Sequence, residues 1–78
     1  MSLNKKLNRS LCSILEYMLY ALSDKDVEIS YDKDIDYFIV WFNNKQIYKF
    51  PAIQIYNKVD GLADYLSTIV GDFNYEKD

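Results

Sequence analysis

The sequence contains no histidine, and this absence removes the side chain that most often acts as a general base or as a nitrogen ligand to metals. A single cysteine, Cys12, rules out an internal disulfide and a secreted, disulfide-stabilised fold. Without a histidine to activate it, Cys12 is expected to be a small apolar side chain rather than a nucleophile. Neither a glycine-rich phosphate loop nor a zinc-binding spacing occurs. We therefore expect a non-enzymatic protein that needs no cofactor and no metal.

Glycine and proline are also scarce, with two Gly and one Pro in 78 residues, while half of the residues are hydrophobic. This composition is typical of one globular domain, here 1–78 as a whole. No apolar run approaches the roughly 20 residues that a membrane span requires. The apolar stretch Leu11–Leu15 is not followed by the small-residue cleavage site of a signal peptide. We expect a cytoplasmic protein with no membrane partner.

Basic residues are also few, with nine Lys or Arg against twelve Asp or Glu. The formal net charge is −3 and the sequence pI is about 4.7, which argues against a protein that binds a nucleic-acid backbone. Residues 24–36 hold six acids and two lysines, and residues 60–78 hold five acids and one lysine. Residues 37–59 hold three lysines and no acid. Nucleic acid is therefore an unlikely partner, whereas the uneven charge could guide another protein to this surface.

Apolar residues recur at steps of three and four near both ends of the chain, which is the spacing of a helical face. The first series runs from Leu3 to Leu22 and predicts a helix over about 3–22. The second runs from Ile55 to Phe73 and predicts a C-terminal helix, with Asn57 as a candidate N-cap and Gly71 as the terminator. The tail that begins at Asn74 is polar and is expected to be loose.

Between the helices, the pattern predicts three strands. Val27–Tyr31 alternates apolar and polar residues, as a half-buried strand does. Ile35–Phe42 and Lys45–Phe50 follow, joined by a two-residue turn at Asn43–Asn44, since asparagine tolerates the positive φ angles of such a hairpin. A tight turn is expected at Asp32–Asp34. The predicted fold is α+β: a three-stranded antiparallel sheet flanked by an N-terminal and a C-terminal helix, in the order α-β-β-β-α.

This order of elements resembles the double-stranded RNA-binding domain. That family contacts RNA through a Gly-Pro-containing loop that carries a histidine, and through a lysine cluster at the start of its last helix. The corresponding segments here are the turn Asp32–Asp34 and residues Asn57–Asp60, and neither motif is present. The resemblance is one of topology, and it implies no RNA-binding residue in this chain.

The second strand is apolar on both of its faces. Pairing Tyr31 with Ile35 across the first turn would place the odd-numbered side chains of this strand, including Tyr37, Ile39 and Trp41, on the face that the helices cover. The opposite face would then carry Phe38, Val40, Phe42 and Ile47, edged by Glu28, Lys45 and Lys49.

Two helices suffice to cover one face of a three-stranded sheet, so another surface should complete the burial of the second face. The leading interpretation is a small interaction or regulatory protein that forms a homodimer, or binds an unidentified protein, through that face. A helix on each side of the sheet is the structural alternative.

The main functional alternative is single-stranded nucleic-acid binding, with Phe38 and Phe42 as stacking platforms and Lys45 and Lys49 at the phosphates. The abundance of Lys, Asn, Ile and Tyr fits an accessory protein of AT-rich bacteria or phages.

Overall fold

A long helix, three consecutive antiparallel strands and two shorter helices follow one another along the chain. The elements are α1 (Ser2–Ser23), β1 (Glu28–Asp32), β2 (Tyr37–Phe42), β3 (Lys45–Pro51), α2 (Ala52–Asn57), a short 3₁₀ turn (Val59–Gly61) and α3 (Leu62–Val70). The computed structural model describes residues 2–57 and 59–76, and side chains for 8–57 and 60–76. It confirms the predicted α+β class and the three-stranded antiparallel sheet, in which β2 lies between β1 and β3.

The helical segment after the sheet is divided. The prediction of a single C-terminal helix with Asn57 as its N-cap is wrong, because α2 ends at Asn57 and α3 begins at Leu62 after the 3₁₀ turn. Asn57 is thus the last residue of α2 rather than an N-cap. Gly61 is the residue before α3. Gly71 caps the C-terminus of α3 as predicted, and its N–H bonds to the carbonyl of Ile69.

Both longer helices lie on the same face of the sheet. α1 contacts α3 and also contacts β1. Leu15 and Leu19 of α1 and Leu66 and Ile69 of α3 belong to one buried cluster with Phe38 of β2. The extents of 35 × 27 × 16 Å fit a sheet under a single layer of helices, since a second helical layer would add about 10 Å to the thickness. The alternative with one helix on each side of the sheet is wrong.

The pairing of β1 with β2 differs from the prediction. Tyr31 lies opposite Phe38 and not opposite Ile35, because four residues rather than three form the turn. The N–H of Asp34 bonds to Oδ1 of Asp32 at 2.9 Å, and Asp36 adopts a φ of 58°, a left-handed conformation that aspartate tolerates better than most residues. The Tyr31 hydroxyl donates to the Asp36 carboxylate, and this bond is the main cause that raises the pKa of the phenol.

This change in pairing exchanges the two faces of β2 and leaves those of β1 as predicted. The shift is three residues, an odd number, and side chains alternate along a strand, so every side chain of β2 moves to the other face. The prediction that Phe38, Val40, Phe42 and Ile47 form an uncovered face is therefore wrong. Phe38 and Val40 are fully buried and Ile47 is 3% exposed, while Phe42 is half-buried against the core.

The β2–β3 hairpin follows the prediction at its turn and departs from it further along. Asn43 and Asn44 have φ angles of 53° and 64° and form the predicted two-residue turn, so that Phe42 lies opposite Lys45. A bulge follows, after which Val40 lies opposite Tyr48 and not opposite Ile47. The predicted pairing of Phe38 with Lys49 is also wrong, since Phe38 faces Phe50. The extra residue in β3 places Phe50 on the core face, where an unshifted register would have placed Lys49.

Aromatic rings form a nearly continuous layer between the sheet and the helices. The ring of Phe38 lies 5.4 Å from that of Tyr31 and 5.6 Å from that of Phe50, centroid to centroid. At the other end of the sheet, Phe42 meets Tyr75 edge to face at 5.0 Å. Phe73 likewise packs on Tyr48. The prediction of a loose tail is therefore wrong for residues 74–76, whereas Lys77 and Asp78 lie outside the described residues.

The free edge of β1 is closed by a side chain. Oε2 of Glu16, on α1, accepts a hydrogen bond from the backbone N–H of Ile29 at 2.8 Å. This N–H points away from β2 and would otherwise be available to a strand of another molecule. The charged acceptor thus holds α1 on the sheet and blocks edge-to-edge pairing at this position.

We expect Tyr75→Ala to lower the free energy of unfolding by about 1–2 kcal/mol, because it removes the edge-to-face contact with Phe42 and part of the cover over the core. Urea denaturation followed by circular dichroism measures this change. The matched control is Tyr17→Ala, since Tyr17 is 77% exposed on α1, and we expect it to change stability by less than about 0.5 kcal/mol. Equal effects of the two substitutions would contradict the packing role of the tail.

We expect Glu16→Met to lower the free energy of unfolding by about 1–2 kcal/mol, because the amide of Ile29 then loses a charged acceptor in a half-buried position. Glu16→Gln retains an acceptor oxygen and should lose less. Hydrogen exchange at the Ile29 amide provides a local measure, with faster exchange expected in Glu16→Met than in Glu16→Gln. Unchanged exchange at this amide in both variants would show that the bond does not protect the edge.

Candidate interaction surface

A row of three large side chains lies on the face of the sheet opposite the helices. Tyr37, Ile39 and Trp41 alternate along β2 with the buried Phe38 and Val40. All three are half-buried, and none belongs to the described side chains that pack in or against the hydrophobic core. We call this side of the sheet the open face; the register assigns to it Glu28, Ser30 and Asp32 of β1, Tyr37, Ile39 and Trp41 of β2, and Gln46, Lys49 and Pro51 of β3.

Trp41 is anchored to the neighbouring strand. Its indole N–H donates a hydrogen bond to the Ser30 hydroxyl at 2.9 Å. Beside it, an open groove of about 350 Å³ is lined by Glu28, Ile29, Ser30, Trp41 and Asn44. The bond satisfies the one polar atom of the indole, so that the rest of the ring offers apolar surface in a defined position.

Charges flank the aromatic row asymmetrically. Glu28 and Asp32 lie on the β1 side, and Lys49 lies on the β3 side. The Lys49 ammonium is 5.6 Å from the centre of the Tyr37 ring, within the range of a cation–π contact. The open face therefore has an acidic edge, an apolar centre and a basic edge, and an apolar centre with a polar rim is the usual anatomy of a protein-binding surface.

The residues predicted to form the interface divide into two groups. Glu28 and Lys49 lie on the open face, whereas the prediction of Lys45 on that face is wrong, because Lys45 lies opposite Phe42 on the helix side of the sheet. The apolar members of the predicted set lie on the core face, and the opposite side chains of β2 take their place. The side-chain chemistry of β2 could have indicated which residues face outward. Tyr37 and Trp41 carry polar atoms that suit a surface, whereas Phe38 and Val40 carry none.

Residues with potential for catalysis are placed unfavourably. Cys12 is half-buried on α1, and burial first, then the Glu16 carboxylate, raises the pKa of its thiol. The reactive thiolate is therefore a minor species at neutral pH. Nearby Asn8 is buried, but its side-chain oxygen already accepts a hydrogen bond from the Tyr56 hydroxyl. Among the described residues, no three His, Cys, Asp or Glu side chains are grouped so that they could hold a metal ion.

A second apolar patch lies on the outer side of α1. Ile14 is 53% exposed and Tyr17 is 77% exposed. They line a shallow groove together with Ser13 and Met18. The residues that line this groove carry no charge, so they lack the polar rim that flanks the apolar row of the open face. The open face is therefore the stronger candidate site.

No helix in the described part of the chain combines the length and the apolar character needed to cross a bilayer. Comparisons with known protein families, with curated proteins and with solved structures find no match to this chain. The geometry and chemistry of the open face are therefore the basis on which its role is inferred.

Proposed function

We propose that this protein is a small, non-enzymatic interaction protein that binds through the open face of its sheet, with a second copy of itself as the first partner. The observation that carries this proposal is the row of Tyr37, Ile39 and Trp41. This row lies on the side of the sheet that neither α1 nor α3 covers. Large apolar side chains gathered at the centre of a surface with a charged rim mark a binding site rather than ordinary exposed residues.

Burial of this row supplies the driving force. Complete burial of a large apolar side chain contributes about 1.5–3 kcal/mol relative to full exposure. Because Tyr37, Ile39 and Trp41 are already half-buried, we expect roughly 1 kcal/mol from each on docking. This gain is offset in part by the translational and rotational freedom that association removes.

The small area of the open face limits the affinity of one copy for another. Three strands about 4.8 Å apart and about six residues long give a surface of about 14 × 20 Å. An interface of this size falls below the roughly 800 Å² per partner of a standard stable complex. We therefore expect weak, reversible association, with a dissociation constant on the order of 100 µM.

Single-stranded nucleic-acid binding is the second candidate. Phe38 is fully buried and Phe42 packs on Tyr75, so neither is presented as the predicted stacking platform. Two other aromatic side chains, Tyr37 and Trp41, do lie on the open face, about 13 Å apart along β2. However, the acidic edge of that face would repel phosphates, and the formal net charge is −3. Protein binding is therefore preferred.

We also propose a cytoplasmic location. One cysteine in 78 residues is the usage of a reducing compartment rather than of a secreted small domain.

We expect Ile39→Glu to abolish self-association up to about 500 µM, because a charge at the centre of the row must lose its water on docking. Sedimentation equilibrium of the wild type and the variant measures this. The matched control is Ile53→Glu, which introduces the same charge at a residue that is 51% exposed on α2. Its dissociation constant should stay within about threefold of the wild-type value.

Trp41 provides an independent measurement at the proposed site, since it is the sole tryptophan of the chain. Its emission should shift to shorter wavelength as the protein concentration passes through the dissociation constant, because the indole becomes more buried. A wild-type protein that remains monomeric at concentrations up to about 500 µM would contradict the proposal. So would association that Ile39→Glu leaves intact.

Titration with a single-stranded decanucleotide at low salt distinguishes single-stranded nucleic-acid binding from the proposed self-association. Nucleic-acid binding predicts quenching of Trp41 and a steep loss of affinity as the salt concentration rises. The interaction-protein proposal predicts no such quenching. Quenching by the oligonucleotide at a protein concentration where no self-association occurs would favour the nucleic-acid function instead.

A further inference from the structure

We propose that the second copy docks in one particular orientation, with β1 of each copy over β3 of the other and the two-fold axis running along β2 between the two sheets. This inference rests on the proposed function and adds to it the geometry of the pair. It follows from the distribution of charge across the open face.

The charges lie in defined rows across the sheet. Ser30, Ile39 and Lys49 are paired in one row. Glu28 lies two residues before Ser30 and Asp32 two residues after it, each about 7 Å away along the strand. Viewed across the sheet, the lysine on β3 is therefore level with the midpoint between the two carboxylates on β1.

A two-fold axis along β2 brings these charges together. Such an axis keeps each row in place and exchanges the edges, so β3 of one copy lies over β1 of the other. Lys49 then lies over Ser30 of the second copy, between that copy's Glu28 and Asp32. Stacked sheets are about 10 Å apart, a distance that a lysine and a facing carboxylate side chain can span together. At the centre, Ile39 meets Ile39 and Trp41 meets Trp41.

The other simple two-fold arrangement is repulsive. An axis that crosses the strands in the same plane places β1 over β1 and β3 over β3. Glu28 of one copy would then approach Asp32 of the other, and both lysines would lie over the same strand pair. Like charges brought together at a partly desolvated interface oppose association, and such juxtapositions are a common means of excluding a wrong orientation.

The proposed orientation requires no rearrangement of the subunit. Both helical layers stay on the outside, because α1 and α3 lie on the opposite side of each sheet. The Lys49 ammonium is already held above the open face by the Tyr37 ring. Aligned sheets that pack face to face are a common arrangement of two β layers.

Charge reversal tests the orientation. Glu28→Lys should weaken self-association by roughly threefold, because Lys49 of the facing copy gains one repulsion and keeps its attraction to Asp32. Lys49→Glu should weaken it by roughly tenfold, because the new carboxylate is repelled by both Glu28 and Asp32 of the facing copy. In the double variant the charges at positions 28 and 49 attract again while Asp32 of the facing copy still repels, so it should bind about as tightly as Glu28→Lys and more tightly than Lys49→Glu. Independent effects of the two substitutions would instead make it the weakest of the three. The controls Asp72→Lys and Arg9→Glu change the net charge equally at exposed positions outside the open face, and they should have little effect. Sedimentation equilibrium measures all five variants beside the wild type and Ile39→Glu.

The outcomes separate this inference from the proposed function. Weaker association in both single variants, with the double variant tighter than Lys49→Glu alone, supports the proposed orientation. If Ile39→Glu abolishes association but neither single reversal changes it, the orientation is wrong and the docking surface stands. If the wild type does not associate, or Ile39→Glu associates normally, both proposals fail.

Discussion

The pairing of Tyr31 with Phe38 determines which side chains of β2 face the helices. Asp36 connects the elements that fix this pairing. Its left-handed backbone completes the four-residue turn, its carboxylate accepts the hydroxyl of Tyr31, and its carbonyl accepts the N–H of Ala52 at the start of α2 at 2.9 Å. Because side chains alternate along a strand, a turn shorter by one residue would change the register and could exchange the faces of β2. The turn therefore decides the composition of both the core and the open surface.

The core face is built from aromatic rings, and this explains how 78 residues can bury a sizeable apolar surface. Thirteen of the residues are Tyr, Phe or Trp. The rings of Phe38, Phe50, Tyr48 and Phe73 follow one another in contact between the sheet and the helices. Aromatic side chains bury more area per position than aliphatic ones, so a short chain gains most from them. The helices and the tail cover this layer, and no helix or strand in the described part of the chain covers the other face of the sheet.

The elements with local signals could be predicted from the sequence. The helix over about 3–22 follows from its apolar spacing, and the hairpin turn follows from Asn43 and Asn44, which tolerate positive φ. The face of β2 could not be predicted from periodicity, because its even-numbered and odd-numbered side chains are both apolar. The bulge at Ile47 and the break between α2 and α3 have no strong local marker either. The sequence thus predicted the type of surface, an uncovered apolar face of the sheet. The apolar residues assigned to that face were wrong, because they lie on the core side.

The central claim is that β2 turns Phe38 and Val40 toward both helices and leaves Ile39 accessible. Cysteine labelling tests it most directly, in a Cys12→Ser background and at protein concentrations well below the expected dissociation constant. The account predicts that the thiol of Ile39→Cys reacts with a maleimide much faster than the protein unfolds, because the side chain at that position is only half-buried. The thiol of Val40→Cys should react only as fast as the protein unfolds, because the native side chain at that position is fully buried. The reverse pattern, or protection at both positions, would contradict the account.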